Sequence, residues 1–488
     1  MKRLLFLAVL TGLITVAAAA QAQTQVSVSG DARIYATFWS KYQYTNWNFN
    51  GTQTWQSLNI FERFRLKTDF VANEDLKFRL GIRIDDGPTG NAAWGHATFT
   101  IDNPDATSIQ VYQAYMQFNW PNTDVQFTIG YQDFDLPFSA DWLGANPVMG
   151  GTDAAAAVVE IPVIYDHFQI KTGFSRLLDA SPGFQQTTTQ QADRLDAYFL
   201  TLPISLEDFK ATPWGMVAVA GRDAGYGGIS VGQGPYTNET LATNLFSAGG
   251  FSTVPLRNAQ NAYWWAGTTV TVSSLDFFKF YGDVIYGSGN DSDRKINRRQ
   301  GLFFDVAAEY TDLDYFTPQV TFWYSTGEDK SLSNGSERLP CVVNYWGPTS
   351  SFLFNTTQEF NYGFMGTNSI GSWGLVAGLE KISLLPDLTN RLVFTYARGT
   401  NSPAGLRAAN LLNGVGNYVQ MGRDLTSQEY ELAVNLDTKY DIYQNLAAIA
   451  ETGWSHGDFQ TSVWTHRFTS QTRNGDAWKV AVGLRYQF

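Results

Sequence analysis

Hydrophobic and polar residues alternate along most of the chain, in segments of about ten to fourteen residues separated by stretches rich in Gly, Asn, Asp and Ser. This period of two predicts β-strands that have one apolar and one polar face. We count about 18 such strands, and the alternative count is about 16. The predicted strands are residues 25–38, 58–72, 75–86, 108–120, 124–134, 154–165, 167–177, 195–206, 214–222, 260–273, 276–287, 300–311, 316–326, 371–384, 389–399, 427–439, 442–454 and 476–488.

The predicted connections alternate between short and long ones, as an antiparallel β-barrel with turns at one end and loops at the other requires. The predicted turns are Asn73–Asp75, Pro121–Asp124, Tyr165–His167, Ser274–Leu275, Thr311–Asp314, Pro386–Thr389 and Tyr440–Asp441. The predicted long loops are residues 40–57, 87–107, 135–153, 178–194, 223–259, 288–299, 327–370, 400–426 and 455–475. An even number of strands brings both ends of the barrel to the side of the short turns, which we expect to be the periplasm.

The start of the chain has the composition of a secretion signal. A positively charged start precedes an apolar run, and Ala18–Ala22 supplies the small residues that signal peptidase requires. We therefore predict a Sec signal peptide over residues 1–22, cleaved before Gln23, and a single β-barrel domain over residues 23–488. The alternative is an uncleaved anchor, but its roughly 13 apolar residues fall short of the roughly 20 that a spanning helix needs.

The composition narrows the class of protein further. No run of about 18 apolar residues follows the predicted signal peptide, so the pattern excludes an α-helical membrane protein. Aromatic residues make up 15% of the chain and charged residues only 16%, which is typical of a transmembrane barrel with aromatic girdles. The formal net charge is -12, and this acidic balance argues against a nucleic-acid partner. The single cysteine, Cys341, excludes an internal disulfide.

The end of the chain carries the most specific pattern. Strand 476–488 places apolar residues on one face and stops on an aromatic residue, so it needs both a pairing strand and an apolar medium. It resembles the closing strand of Gram-negative outer-membrane barrel proteins, which the barrel-assembly machinery recognises; the matching residues are Val482, Leu484, Tyr486 and Phe488. The resemblance implies a place in the outer membrane, in contact with its lipid and lipopolysaccharide.

The polar face of the first three predicted strands is rich in basic residues. If the apolar face turns outward, seven basic side chains form a ladder on one inner wall; they are Arg33, Arg63, Arg65, Lys67, Lys77, Arg79 and Arg83. Charges in a narrow channel sort ions because screening is weaker there than in bulk salt. The ladder is a candidate basic side of a pore constriction; the alternative is that these residues are ordinary charged lumen residues. Glu62 falls on the outward face, where a charge is costly.

The third long loop is compact and apolar, with four acids among large hydrophobic residues. A loop of this composition is expected to pack against the protein. The topology resembles that of general trimeric porins, in which the loop after the fifth strand folds into the barrel and sets its acids against a basic cluster. The resemblance implies a constriction whose acidic side consists of Asp133, Asp135, Asp141 and Asp153. The alternative is a loop on the outer rim or against a neighbouring subunit.

The length and loop style are also similar to those of the homotrimeric porins of sulfate-reducing bacteria. A homotrimer would bury part of the barrel wall, and the small residues of Ala154–Ala157 are a candidate contact surface. The alternative is that this run is the lipid-facing or loop-packed start of a strand.

The sequence shows no arrangement typical of an enzyme, and we expect no cofactor and no metal. His96, His167, His456 and His466 all fall in predicted loops or turns without a nucleophile in a recognisable spacing. Asn290–Asp293 has oxygens that suit calcium but lacks the EF-hand pattern. We therefore expect a passive, water-filled channel for small hydrophilic solutes and ions. The alternatives are a substrate-specific channel for an anionic or sugar solute and a plugged structural or adhesive barrel.

Overall fold

The computed structural model is a closed antiparallel β-barrel of 18 long strands. It describes residues 24–41, 44, 56–84, 92–93, 109–179, 193–231, 239–251, 256–348, 352–354, 359–360, 365–465, 469 and 475–488. The strands are β1 (Gln25–Ser40), β2 (Gln56–Asn73), β3 (Leu76–Ile84), β4 (Ile109–Asn119), β5 (Gln126–Phe134), β6 (Thr152–Ile164), β7 (Phe168–Asp179), β8 (Arg194–Thr201), β9 (Phe209–Gly221), β10 (Gln260–Leu275), β11 (Phe278–Gly289), β12 (Arg299–Tyr310), β13 (Thr317–Ser325), β14 (Ser372–Leu385), β15 (Leu388–Gly399), β16 (Tyr430–Tyr443), β17 (Leu446–Asp458) and β18 (Gly475–Gln487).

Each strand pairs with its sequence neighbours, and β1 pairs with β18 to close the sheet. The predicted count of 18 is confirmed, and the alternative of 16 is wrong. Two strands of two residues each supplement the barrel: Ala92–Ala93 pairs with β2, and Ile204–Ser205 pairs with β7 and β9. The predicted signal peptide, His96 and His466 lie outside the described residues.

Most of the predicted turns lie at or next to strand ends, and two are displaced. Ser274–Leu275 belongs to β10 and Tyr440–Asp441 belongs to β16, so the turns follow at residues 276–277 and 444–445. Both displaced predictions ended a strand too early, because a polar residue, Ser274 in β10 and Asp441 in β16, lies within the strand near its end.

The outer face of the barrel is apolar, and the alternation of the strands is as predicted. On β1, Ile34 is 51% exposed whereas the next residue, Tyr35, is 2% exposed. On β18, Val482 is 50% exposed and its neighbour Ala481 is fully buried. The pairing of Glu62 with Ile34 confirms that this acid lies on the outward face. A continuous outer belt of this kind is what the hydrocarbon core of a membrane requires.

The carboxyl terminus completes the barrel. The Phe488 amide donates to the Gly30 carbonyl at 3.1 Å, and the Gly30 amide donates to the Phe488 carbonyl at 2.9 Å. A Cβ atom at Gly30 would lie 2.3 Å from the Arg65 carbonyl oxygen and 2.7 Å from the Phe488 ring, so only glycine fits at this closure point.

Four segments between strands, L3 (residues 135–151), L5 (222–259), L7 (326–371) and L8 (400–429), fold back over the interior in the parts of them that the structure describes. They contain the helices α1 (Leu241–Leu245) and α2 (Pro403–Asn413), and a further short helix, α3 (Thr461–Trp464), follows β17. Most of their buried apolar residues join one core with the inner face of the barrel. Among the described residues, the helices are too short or too polar to cross a membrane.

Candidate functional site

L3 folds into the lumen, as the sequence predicted. The Ser139 hydroxyl donates to the carboxylate of Asp283, which is buried on β11, and the Thr271 hydroxyl of β10 donates to the Ser139 carbonyl at 3.1 Å. The Trp142 and Tyr281 rings meet edge to face with their centroids 5.6 Å apart. L3 therefore crosses from β5 to the wall formed by β10 and β11, and the alternative of a loop on the outer rim is wrong.

L7 binds to L3 inside the barrel. The Val342 amide donates to the Val148 carbonyl at 2.7 Å, and the Gly347 amide donates to the Leu143 carbonyl at 3.0 Å. Residues of L3 and L7 also form two isolated β-bridges. We call this paired unit the L3–L7 partition. The sequence did not reveal it because L7 has no regular period and its partners are distant in the chain.

One buried tryptophan, Trp346, attaches the L7 part of the partition to the barrel wall. The Trp346 indole donates to the Asp305 carboxylate of β12 at 2.7 Å. Its ring packs against Phe303 at 5.3 Å and against Trp323 at 5.1 Å between centroids. Because Trp346 is only 2% exposed, these contacts form part of the core.

A cavity of about 640 Å³ lies between the partition and the wall formed by β2 to β6. Its basic residues are Arg65, Lys67 and Arg83, and its acidic residues are Asp133, Asp135 and Asp153. L5, L7 and α1 contribute its apolar part, which consists of Ile229, Val231, Leu241, Val342 and Val343. The structure thus brings three of the seven predicted basic residues together with three of the four predicted acids.

Two of the three cavity cations lack an acidic partner. Among the described residues, neither Arg65 nor Lys67 forms an ion pair. The Arg65 guanidinium lies 5.4 Å from the centroid of the Tyr112 ring, and the Arg83 guanidinium lies 5.9 Å from the same centroid. The Tyr112 ring holds the Arg65 guanidinium without neutralising it, so the charge of Arg65 acts on the cavity.

The other predicted basic residues do not line the cavity. Arg33 and Arg63 both bind Asp31, at 2.9 and 2.8 Å, and Arg79 binds Asp69 through two hydrogen bonds of 2.6 Å. Lys77 also lies outside the cavity lining. The seven residues therefore do not present one uniform row of free charges, because Asp31 pairs with Arg33 and Arg63 and Asp69 pairs with Arg79.

The acids of L3 are arranged around the hairpin that joins β5 to β6. Asp133 and Asp153 are partners across this hairpin, and the Gln113 amide donates to Asp133 at 3.0 Å. The Asp135 carboxylate accepts a hydrogen bond from the Gly151 amide, and burial raises the pKa of Asp135 above its usual value. Asp141 is exposed and outside the cavity lining, so its predicted place in the constriction is not observed.

Tyr112 and Gln113 belong to the site but were not predicted. The β3–β4 register shifts between Gly81 and Ile82, which leaves one extra residue in β4 at Tyr112. Such a bulge turns Tyr112 inward, whereas strict alternation places it on the lipid side. The Tyr112 side chain is only 4% exposed, in agreement with an inward position.

The remaining predicted residues take simpler positions. Val482, Leu484, Tyr486 and Phe488 are all exposed on the outer face of β18. Ala154 and Ala156 are buried toward the inside, so only alternate residues of the run Ala154–Ala157 are available for an outer contact. His456 binds Asp476 at 2.7 Å, next to outward-facing aromatic residues.

The arrangement creates a transverse electric field in a solvent-filled space. Cations on β2 and β3 face acids on the β5–β6 hairpin, and the partition limits the cross-section between them. In such a space, fixed charges are screened less than in bulk water.

No protein-family model matches the chain, and no curated protein is significantly similar to it in sequence. Solved structures share its fold. The outer membrane protein OprD from Pseudomonas aeruginosa is 12% identical, with coverage of 96% of this chain and 96% of that chain and a TM-score of 0.50. OccK11 (OpdR) from Pseudomonas aeruginosa is 10% identical, with coverage of 95% and 96% and a TM-score of 0.50. The chain therefore has a barrel fold similar to that of these two proteins.

Proposed function

We propose that this protein is an outer-membrane channel through which small hydrophilic solutes diffuse passively, and that its constriction favours solutes with an anionic group. The observation that carries the proposal is the 640 Å³ cavity, in which Arg65 and Lys67 have no acidic partner among the described residues. An anion that enters this cavity gains attraction from Arg65, which packs against the Tyr112 ring, and from Lys67.

A substrate-specific channel is supported by the extent of the loop packing. L5, L7 and L8 bury much of their apolar surface against the inner wall and one another. The cavity volume lies within the range of roughly 300–1,000 Å³ that is usual for small-molecule sites. These features favour a narrow, selective passage over the wide pore of a general porin.

We also propose that the barrel lies in the outer membrane. The outer belt and the fold suit an outer membrane, and the exposed residues of β18 suit recognition by the barrel-assembly machinery. Contact with lipopolysaccharide and assembly into a homotrimer are proposals that rest on the sequence resemblance, and export by Sec is a proposal that rests on the composition of residues 1–22.

Swelling of proteoliposomes tests the proposed function. Vesicles containing the purified protein should admit a small monocarboxylate faster than an uncharged solute of the same size, and should admit the matching amine most slowly. Equal rates for the three solutes would remove the anionic preference. Rates no higher than those of protein-free vesicles would contradict the channel itself and support a plugged structural barrel.

A further inference from the structure

Three acidic side chains converge in L7, away from the cavity. Glu328, Asp329 and Glu337 each offer a carboxylate oxygen, and these oxygens all lie within 4.8 Å of one another. Acidic groups repel one another at this separation unless a proton or a cation lies between them. A cluster of carboxylates does not by itself identify a cation site. The hydrogen bonds of each side chain show which oxygen atoms lack a partner.

Glu328 is a buried carboxylate with an unused oxygen. Its side chain is only 2% exposed, and its Oε2 atom accepts a hydrogen bond of 2.6 Å from the Ser336 hydroxyl. Its Oε1 atom has no hydrogen-bond partner among the described residues, although it is shielded from solvent. Leaving a carboxylate oxygen in this state costs free energy that a bound cation would recover.

The nearest arginines are engaged elsewhere. Arg338 binds Asp424 at 2.5 Å, and the Arg299 guanidinium donates to main-chain carbonyls of L5 and L7. Neither forms an ion pair with Glu328 among the described residues. Within the described part of the chain, Glu328 therefore has no direct counter-ion.

Asn334 supplies a second unsatisfied oxygen at the same place. Its amide nitrogen lies 2.9 Å from Asp329 Oδ2 and 3.4 Å from Glu337 Oε1, whereas its Oδ1 atom is buried without a partner. The oxygen and nitrogen of an asparagine amide exchange places by a simple flip. With a cation between the carboxylates, the flipped amide would turn its oxygen toward the ion, and the ion would replace the two hydrogen bonds that the amide nitrogen now donates to Asp329 and Glu337.

We propose that Glu328, Asp329, Asn334 and Glu337 form a binding site for a hard divalent cation, with Ca²⁺ preferred over Mg²⁺. All of the ligands are oxygen atoms, and no histidine or cysteine belongs to the group. Oxygen ligands suit Ca²⁺ and Mg²⁺ rather than zinc or copper, and an irregular loop suits the flexible coordination of Ca²⁺. Dissociation constants on the order of 10⁻⁴–10⁻³ M are usual for extracellular calcium sites.

L6, the segment of residues 290–298, gives the contrasting case. Asp293 has calcium-friendly surroundings in sequence, but its carboxylate accepts hydrogen bonds from three main-chain amides and from the Asn297 amide. The four donor nitrogens lie 2.6–3.3 Å from the Asp293 carboxylate oxygens and already satisfy the negative charge of this carboxylate. The sequence pattern Asn290–Asp293 therefore forms a hydrogen-bonded turn, and the cation site lies in L7.

The proposed ion would fix the base of the L3–L7 partition. The Glu328 amide donates to Asn401 at 2.9 Å, and the Ser402 amide donates to the Glu328 carbonyl at 2.7 Å, so the site joins L7 to L8. Ser336 accepts from the Gln300 amide of β12 at 2.9 Å. L7 continues from Ser336 to Val342 and Val343, which pair with L3. A bound ion would therefore restrict the motion of these two residues.

Titration of the full-length, detergent-folded protein with Ca²⁺ alone tests the site by calorimetry. The expected result is saturable binding of one ion per chain, with weaker binding of Mg²⁺. Glu328→Gln combined with Glu337→Gln should abolish saturable binding, and Asp291→Asn, which removes an exposed carboxylate from L6, should leave the affinity unchanged. The folded state of each variant is checked by the heat-dependent mobility of the barrel on a denaturing gel.

Binding by the double variant equal to that of the wild type would overturn the site, as would the absence of saturable binding by folded wild-type protein. The proposal is independent of solute transport, because calorimetry measures the ion directly. A protein that binds Ca²⁺ but forms no channel would retain this site and lose the proposed function.

Discussion

Arg65 and Lys67 differ from Arg33, Arg63 and Arg79 because no aspartate pairs with them among the described residues. Asp31 holds Arg33 and Arg63, and Asp69 holds Arg79. A count of basic residues on one face therefore overestimates the charge that a solute meets. The effective charge is set by which cations remain without an acidic partner.

At Asp424, one buried carboxylate pairs with two buried arginines, Arg338 and Arg423. Burial alone would raise the pKa of Asp424, but Arg423 and Arg338 outweigh burial and lower the pKa below 3.8. A lowered pKa in the folded state contributes stability above the unfolded pKa, and this stability is lost as the pH falls through the folded pKa. The contacts of L8 should therefore persist at pH 5 and weaken only in stronger acid.

Asp424→Asn should destabilise the loops by about 3–5 kcal/mol, because it leaves two buried guanidinium groups without their acid. The measurement is the free energy of opening from amide hydrogen exchange within residues 400–429. Asp312→Asn in an exposed turn is the matched control and should change little. Unchanged exchange in the Asp424 variant would show that the pair contributes nothing to the loop packing.

At the scale of elements, the L3–L7 partition sets the width of the proposed passage. L3 is held at the β10–β11 wall by Ser139, and L7 is held at β12 by Trp346. The hydrogen bonds between the two loops join these anchors into one unit. Loss of either anchor should affect both loops.

Trp346→Ala should raise the single-channel conductance in a planar bilayer, because it removes the indole contact with Asp305 and the packing against β12 and β13. Trp264→Ala is the matched control: this tryptophan is 39% exposed on the outer face and should leave the conductance unchanged. A conductance equal to that of the wild type in both variants would contradict the role of the partition.

The strands could be predicted from the sequence because their alternation is local and one face meets an apolar medium. The closing strand β18 is the best example, since every second residue is exposed and apolar. Tyr112 could not be predicted, because a bulge in β4 interrupts the period. The L7 half of the partition was missed for a different reason: Val342 pairs with Val148 across a long sequence separation that no local pattern reveals.

At the scale of the whole molecule, the barrel provides an apolar exterior and the loops provide an asymmetric interior. Packed loops join a core with much of the inner face, whereas the described cavity lies along β2 to β6. The proposed selection by charge therefore depends on this side of the barrel. The acidic net charge of the chain does not predict the proposed anion preference, because Arg65 and Lys67 have no acidic partner among the described residues.

The reversal potential of single channels under a salt gradient tests the central claim most directly. The wild type should show a potential of the sign that indicates anion preference, and Arg65→Gln with Lys67→Gln should shift it toward cation preference. Arg222→Gln, which removes an exposed loop cation outside the cavity, should retain the wild-type potential. A double variant with the wild-type reversal potential would contradict selection by these two cations.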